Sequence, residues 1–254
     1  MKYITVDGLT VEYRDIHPGK DSDVTLLLLH EGLGSAAMWR DFPDKLAAAS
    51  ACRTLVWTRA GYGGSSAYAG ERTSAYLHRE AEQALPAFLA ALGIERPLLL
   101  GHSDGGSIAL LFAAAFPDAP AGLIVMAPHE FVESQTRAGI ANACLAWKHA
   151  ALPQKLARYH PDAQQVFDDW SQTWLAPAFD DWSIVDELSR IRCPVLAIQG
   201  EDDEYASMRQ IEVIAEHAPH TQLLKLAQCG HSPQRDQPAA VLSAACEFIR
   251  SLQT

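Results

Sequence analysis

This sequence predicts an α/β protein: a mostly parallel twisted sheet of about eight strands with helices on both faces. Three observations carry that expectation. Short, nearly all-apolar runs recur along the chain, stretches of helical spacing separate them, and 254 residues suit one domain with a sizeable core. Strand alternating with helix implies right-handed crossovers and a sheet covered on both sides. The opening is different: residues 2–6 and 10–14 flank Asp7-Gly8, a hairpin signal. Buried strands are then expected at 24–30, 54–57, 97–100, 122–127 and 194–199, with a more mixed one at 221–227. Helices are expected over 36–49, 74–92, 105–116, 207–218 and 237–252.

One interval breaks the alternation. Residues 134–190 contain no strand-like run and are punctuated by Pro153, Pro161 and Pro177. An insertion of that length between two sheet strands is too long for a plain loop. The expected organisation is therefore a core of 1–133 and 191–254, with a helical cap of 134–190 inserted after the sixth strand. The interval holds four of the six tryptophans, Trp147, Trp170, Trp174 and Trp182. They either form the cap's own core or face down over a pocket, and at least one is expected to line the site.

Composition excludes several classes of function. The 20 basic and 31 acidic residues give a net charge of −11, and no Lys/Arg stripe offsets it, so a nucleic-acid partner is not expected. The aliphatic run at 24–29 is far short of the roughly 20 residues that span a bilayer, and Asp7 interrupts the N-terminus before any export signal forms. Five scattered cysteines without a C-x-x-C pair fit reduced thiols in a cytoplasm. No metal or organic cofactor is expected, because no ligand cluster or phosphate-cradling motif appears. The oligomeric state is left open, a homodimer included.

The chemistry concentrates in Gly101-His102-Ser103-Asp104-Gly105-Gly106, which follows one apolar run and opens a helical one. G-x-S-x-G in that context makes a sharp strand-to-helix turn that lifts the serine hydroxyl out at the carboxyl end of the sheet. A serine needs a base to become a nucleophile. Among ten histidines, His102 reads as packed, and His217 and His220 as solvated. His231, in the turn Cys229-Gly230-His231-Ser232-Pro233 on the same sheet edge, is the candidate base. Its carboxylate partner is sought in Glu201-Asp202-Asp203-Glu204, where at most one acid is catalytic, with Glu130 as a rival. The order Ser103…Asp203…His231 is the one used by a hydrolase elbow of this kind. Oxyanion donors are expected from the N–H of Asp104 and from the turn His30-Glu31-Gly32-Leu33-Gly34. Gly32 is preferred there, with Glu31 and Leu33 as alternative registers.

These motifs, with Gly61-Tyr62-Gly63-Gly64-Ser65, resemble the α/β-hydrolase superfamily, in particular its small cap-bearing branch of carboxylesterases, enol-lactonases and carbon–carbon bond hydrolases. The resemblance spans essentially the whole chain. It selects Asp203 over Asp202, and it places the cap at 134–190. Three departures stand out: Glu31 where a glycine is frequent, Thr58 where an aspartate is common, and Ser232 where carbon–carbon hydrolases often carry tryptophan. A serine at the nucleophile position argues against haloalkane dehalogenases and epoxide hydrolases. The resemblance implies hydrolysis of a small-molecule ester or lactone by Ser103, Asp203 and His231. Glu31, Trp147, Trp170, Trp174 and Trp182 are then candidates for substrate contact. The rivals are a carbon–carbon hydrolase of a vinylogous diketone and, from a different class, a small-molecule receptor with residual hydrolysis.

Overall fold

A computed structural model describes residues 1–19, 24–68, 72–149 and 151–253. Eight strands form one sheet: β1 (Lys2–Val6), β2 (Leu9–Ile16), β3 (Thr25–Leu29), β4 (Arg53–Trp57), β5 (Pro97–His102), β6 (Gly122–Met126), β7 (Val195–Gly200) and β8 (Thr221–Leu226). Their spatial order is β1-β2-β4-β3-β5-β6-β7-β8. The pairs β1–β2 and β2–β4 are antiparallel, and every later neighbour is parallel. The sheet is thus mostly parallel, as its apolar runs imply.

The period of two along each strand divides the core. Leu26, Leu28, Leu98, Leu100, Ile124 and Ile198 face one side, while Leu27, Leu29, Leu99, Val125 and Ala197 face the other. Such strands must be covered twice. The helices of the chain are α1 (Phe42–Ser50), α2 (Tyr76–Arg79), α3 (Leu85–Ala91) and α4 (Asp104–Ala115), followed by α5 (Ser134–His149), α6 (Leu152–Leu156), α7 (Ala163–Leu175), α8 (Arg209–His217), α9 (Pro233–Asp236) and α10 (Pro238–Ser251). Leu46 of α1 and Val241, Ala245, Phe248 and Ile249 of α10 seal the first side. Leu85 and Phe88 of α3, Ile108 and Phe112 of α4, and Ile211 and Ile214 of α8 seal the second.

Two expected helices are not continuous. Residues 36–49 begin as a short 3₁₀ turn, Ala36–Trp39, and break at Arg40, whose φ is +55°. Pro43 then sits in the first turn of α1, where its missing N–H costs nothing. Over 74–92 a π-helical stretch, Glu80–Ala84, separates α2 from α3 just before Pro86. Hydrophobic spacing cannot reveal either interruption.

Between β6 and β7 the chain runs through α5, α6 and α7 and two 3₁₀ turns, Pro177–Phe179 and Asp186–Arg190; residue 150 lies outside the described residues. This interval is fastened to the sheet edge by His160. Its Nε2–H donates to the Leu33 carbonyl at 3.0 Å, and its Nδ1 accepts from Gly63 N–H at 3.0 Å. Among the described residues, no helix is long and apolar enough to cross a membrane.

Candidate active site

The elbow at Ser103 is forced by its neighbours. Ser103 has φ +51° and ψ −119°, a strained backbone for any residue with a Cβ. A Cβ on Gly101 would run into the carbonyl of Gly105, and one on Gly105 would run into the carbonyl of Leu29. Only glycines let α4 approach β3 and β5 this closely, and that approach holds the serine at the carboxyl end of the sheet.

Around it, three side chains meet in one hydrogen-bonded line. His231 Nε2 lies 3.0 Å from Ser103 Oγ, and His231 Nδ1 lies 2.9 Å from both carboxylate oxygens of Asp203. Asp203 is 4% exposed and also accepts from Gln199 Nε2 at 2.7 Å and from Tyr205 N–H at 2.8 Å. Burial works against its ionisation, yet the hydrogen bond and charge of His231 and the Tyr205 N–H hold the carboxyl below its usual range. An ionised Asp203 facing Nδ1 leaves Nε2 free to accept the serine proton. The backbone of His231 is held as well, its N–H donating to Glu204 and its carbonyl accepting from His102 Nε2 at 2.7 Å. His102 is thus a brace, 2% exposed.

Glu130 does not reach this line. It is fully buried, and neither carboxyl oxygen has a partner among the described residues. Burial pushes its carboxyl well above the usual carboxylate range, so it sits there as a neutral acid.

The site opens into a cavity of about 250 Å³. Gly32, Ser103, Asp104, His129, Thr136 and His231 are in its wall. Gly32 is tightly placed: a Cβ there would lie 2.5 Å from Trp170 Cδ1 and 3.1 Å from Asp104 Oδ1. The N–H groups of Gly32 and Asp104 have no acceptor among the described residues, as donors for an oxyanion require. Glu31 also lines the cavity, its side chain 18% exposed. Its carboxylate lies 3.5 Å from His102 Nδ1 and 3.9 Å from Arg235 Nη2. Burial opposes its charge, but His102 and Arg235 hold its carboxyl far below the usual range, so it is an anion at the wall.

Trp170 and Trp174 form part of that wall. Trp147 and Trp182 do not, and their candidacy for substrate contact is corrected here. Trp147 stacks on Phe167 at 4.1 Å, and Trp182 stacks on Phe179 at 5.2 Å, each ring packing on a neighbour within residues 134–190. Three wall residues had no sequence signal of their own. His129 and Thr136 lie beyond the motifs. The side chain of Asp104 is caught in a buried network, in which Tyr76 O–H donates to Oδ2 at 2.8 Å, Arg59 reaches the same oxygen at 3.4 Å, and Trp174 Nε1–H donates to Tyr76 at 2.9 Å. Among the described residues no set of three His, Cys, Asp or Glu side chains could hold a metal ion.

Comparison with known proteins bears on the family and the fold. A family model described as the alpha/beta hydrolase family matches residues 26–245. The chain is 29% identical to a Caulobacter sp. (strain K31) protein named for carbamate hydrolysis, over 96% of this chain and 97% of that one. It is 26% identical to a 2-hydroxy-6-oxononadienedioate/2-hydroxy-6-oxononatrienedioate hydrolase of Burkholderia vietnamiensis, over 98% and 95% respectively. Among solved structures, a 2-hydroxy-6-oxo-6-phenylhexa-2,4-dienoate hydrolase from Rhodococcus sp. strain RHA1 superposes with a TM-score of 0.82 at 17% identity, covering 98% of each chain.

Proposed function

Because this chain belongs to the alpha/beta hydrolase family, we propose that it is a serine hydrolase cleaving a small carboxylic ester or lactone through an acyl-enzyme on Ser103. The observation that carries this reading is the unbroken line Ser103–His231–Asp203, at 3.0 and 2.9 Å. In it, His231 Nε2 takes the proton of Ser103 as Oγ attacks the carbonyl carbon. The N–H groups of Asp104 and Gly32 receive the oxyanion. His231 then protonates the leaving alcohol and afterwards deprotonates the water that frees the acid, while Asp203 stabilises the imidazolium formed in each half. The segment 134–190 acts as a cap, with Trp170 and Trp174 as the apolar side of the binding cavity.

The charges in the wall separate this reading from its nearest rival. The dienedioate hydrolases among the relatives act, by their printed names, on doubly carboxylated substrates. Among the described residues that line this cavity Glu31, Asp104 and Glu204 are acidic; Arg235 faces Glu31, and Arg59 is paired with Asp104. Such a wall offers a carboxylate no free positive partner. A neutral ester, lactone or carbamate fits it better than a dianion, and the same triad serves all three. Parallel assays with short-chain nitrophenyl esters, a simple lactone, a carbamate and a vinylogous 1,5-diketone acid test the choice. The proposal requires the neutral carbonyl substrates to be turned over well ahead of the diketone acid. The reverse order overturns it.

A further inference from the structure

Beside the triad the cavity holds three polar side chains that this mechanism leaves idle. Asp104, His129 and Thr136 all line it, and their exposures are 1%, 3% and 1%. Asp104 is anchored through Oδ2 alone, by Tyr76 and Arg59, and its Oδ1 has no partner among the described residues. Thr136 Oγ1, near the start of α5, likewise lacks one, while the His129 ring faces the Tyr205 backbone. Buried polar groups are nearly always hydrogen-bonded, so two unpaired ones, Asp104 Oδ1 and Thr136 Oγ1, on side chains that line one cavity mark a place where a ligand supplies the partners. The location is also informative. Asp104 Oδ1 lies 3.1 Å from the position of a Cβ on Gly32, which puts it at the corner where the oxyanion would be held.

We propose that Asp104, His129 and Thr136 form a polar subsite for a hydroxyl group carried by the acyl portion of the substrate, close to the scissile carbonyl. This rests on the serine-hydrolase reading above. The acyl portion is assigned because it is the part bonded to Ser103, the chain neighbour of Asp104. The group is a hydroxyl because the valences match: its O–H donates to Asp104 Oδ1 and its oxygen accepts from Thr136 O–H, with the His129 ring beside them. Charge leads to the same group. The Asp104 carboxylate is already countered by the Arg59 guanidinium at 3.4 Å, and burial and the His231 charge depress the His129 pKa to about 4, leaving that imidazole neutral. A buried ammonium would lose its water without a free counter-ion.

The test compares kcat/KM for ethyl 3-hydroxybutyrate, ethyl 2-hydroxybutyrate, ethyl butyrate and ethyl 3-aminobutyrate. A hydrogen bond to a charged acceptor is worth roughly ten- to hundredfold, so one of the two hydroxy esters should lead ethyl butyrate by at least about tenfold. Thr136→Val, which keeps shape while removing the hydroxyl, should bring that ratio towards one, and so should Asp104→Asn. Equal rates for the hydroxy and unsubstituted esters overturn the subsite, and a lead for the amino ester overturns the charge argument. Calorimetric titration of Ser103→Ala protein with the same uncleaved esters provides a separate readout. Should no ester be turned over, the hydrolase reading fails alone, and tighter binding of a hydroxy ester still supports the subsite. Equal binding of all four contradicts it.

Discussion

At the scale of single residues, the triad divides labour in a way that substitutions can separate. Ser103→Ala and His231→Ala should each cost roughly 10³-fold or more in kcat, since in the proposed mechanism one makes the bond and the other moves every proton. Asp203→Asn should cost less, and Glu130→Gln almost nothing. An inactive Glu130→Gln beside a near-normal Asp203→Asn would reverse the assignment of the acid. Glu31 supports a sharper prediction. Its anionic carboxylate lies one residue from the Gly32 donor, and two unit charges ~6 Å apart at an effective dielectric of ~20 repel by roughly 3 kcal/mol. Glu31→Gln should therefore raise kcat/KM selectively for esters bearing a carboxylate, relative to neutral esters of the same size. A uniform effect on both, with a lowered Tm, would make Glu31 a loop brace. That Ser103 and His231 would meet was legible in strand-end motifs, which record backbone geometry that only certain residues tolerate, whereas Asp203 was chosen from its acidic neighbours by the family resemblance. His129 and Thr136 were not legible, because their meaning lies in what surrounds them, and a sequence does not show partners.

At the scale of elements, the sheet was legible almost strand by strand. Runs such as Leu26–Leu27–Leu28–Leu29 have few places to go except between two helical layers. The helices were less so. Nothing in the apolar spacing of 36–49 announces the reversal at Arg40, and the π-helical turn at Glu80–Ala84 depends on accommodating Pro86 inside a packed layer. The tryptophans show the same limit. Composition placed four of them in one segment, but their division between cavity wall and segment core follows from α7, whose successive turns carry Trp170 and Trp174 to the cavity while Phe167 receives Trp147. The elbow itself is an element-scale device. Gly105→Ala places a methyl group against the Leu29 carbonyl, so α4 must move away from β3. Its expected result is a loss of about 1–3 kcal/mol or more in stability together with a collapse of kcat, read by thermal melting and by assay. A fully active, equally stable Gly105→Ala protein would show that close helix–strand contact does not set the serine.

At the scale of the whole molecule, buried titratable groups tie stability to pH from both sides. His30 and His160 each accept one backbone N–H and donate to one carbonyl, an arrangement available only to a neutral ring. Burial holds both, with His129, below the ordinary histidine value, His129 at about 4. The unfolded chain binds protons at these rings from about pH 6.5 downward and the native state does not, so stability falls as pH drops from 6.5 towards 4, by on the order of 3 kcal/mol from His129 alone. Glu130 acts oppositely. Its raised native pKa favours the fold at low pH, and that contribution is lost as pH rises above the ordinary glutamate value near 4.5. Glu130→Gln should accordingly raise Tm more at pH 8 than at pH 4.5, and an equal shift at both would refute a buried neutral acid. The proposed function turns on one arrangement, a sheet edge that presents Ser103 to the cavity. Intact-protein mass spectrometry during turnover of a nitrophenyl ester tests that claim most directly. The account predicts a burst of nitrophenol approaching one per chain and an acyl adduct mapped to Ser103, absent in Ser103→Ala. Turnover without an adduct, or an adduct and undiminished activity in Ser103→Ala, would contradict it.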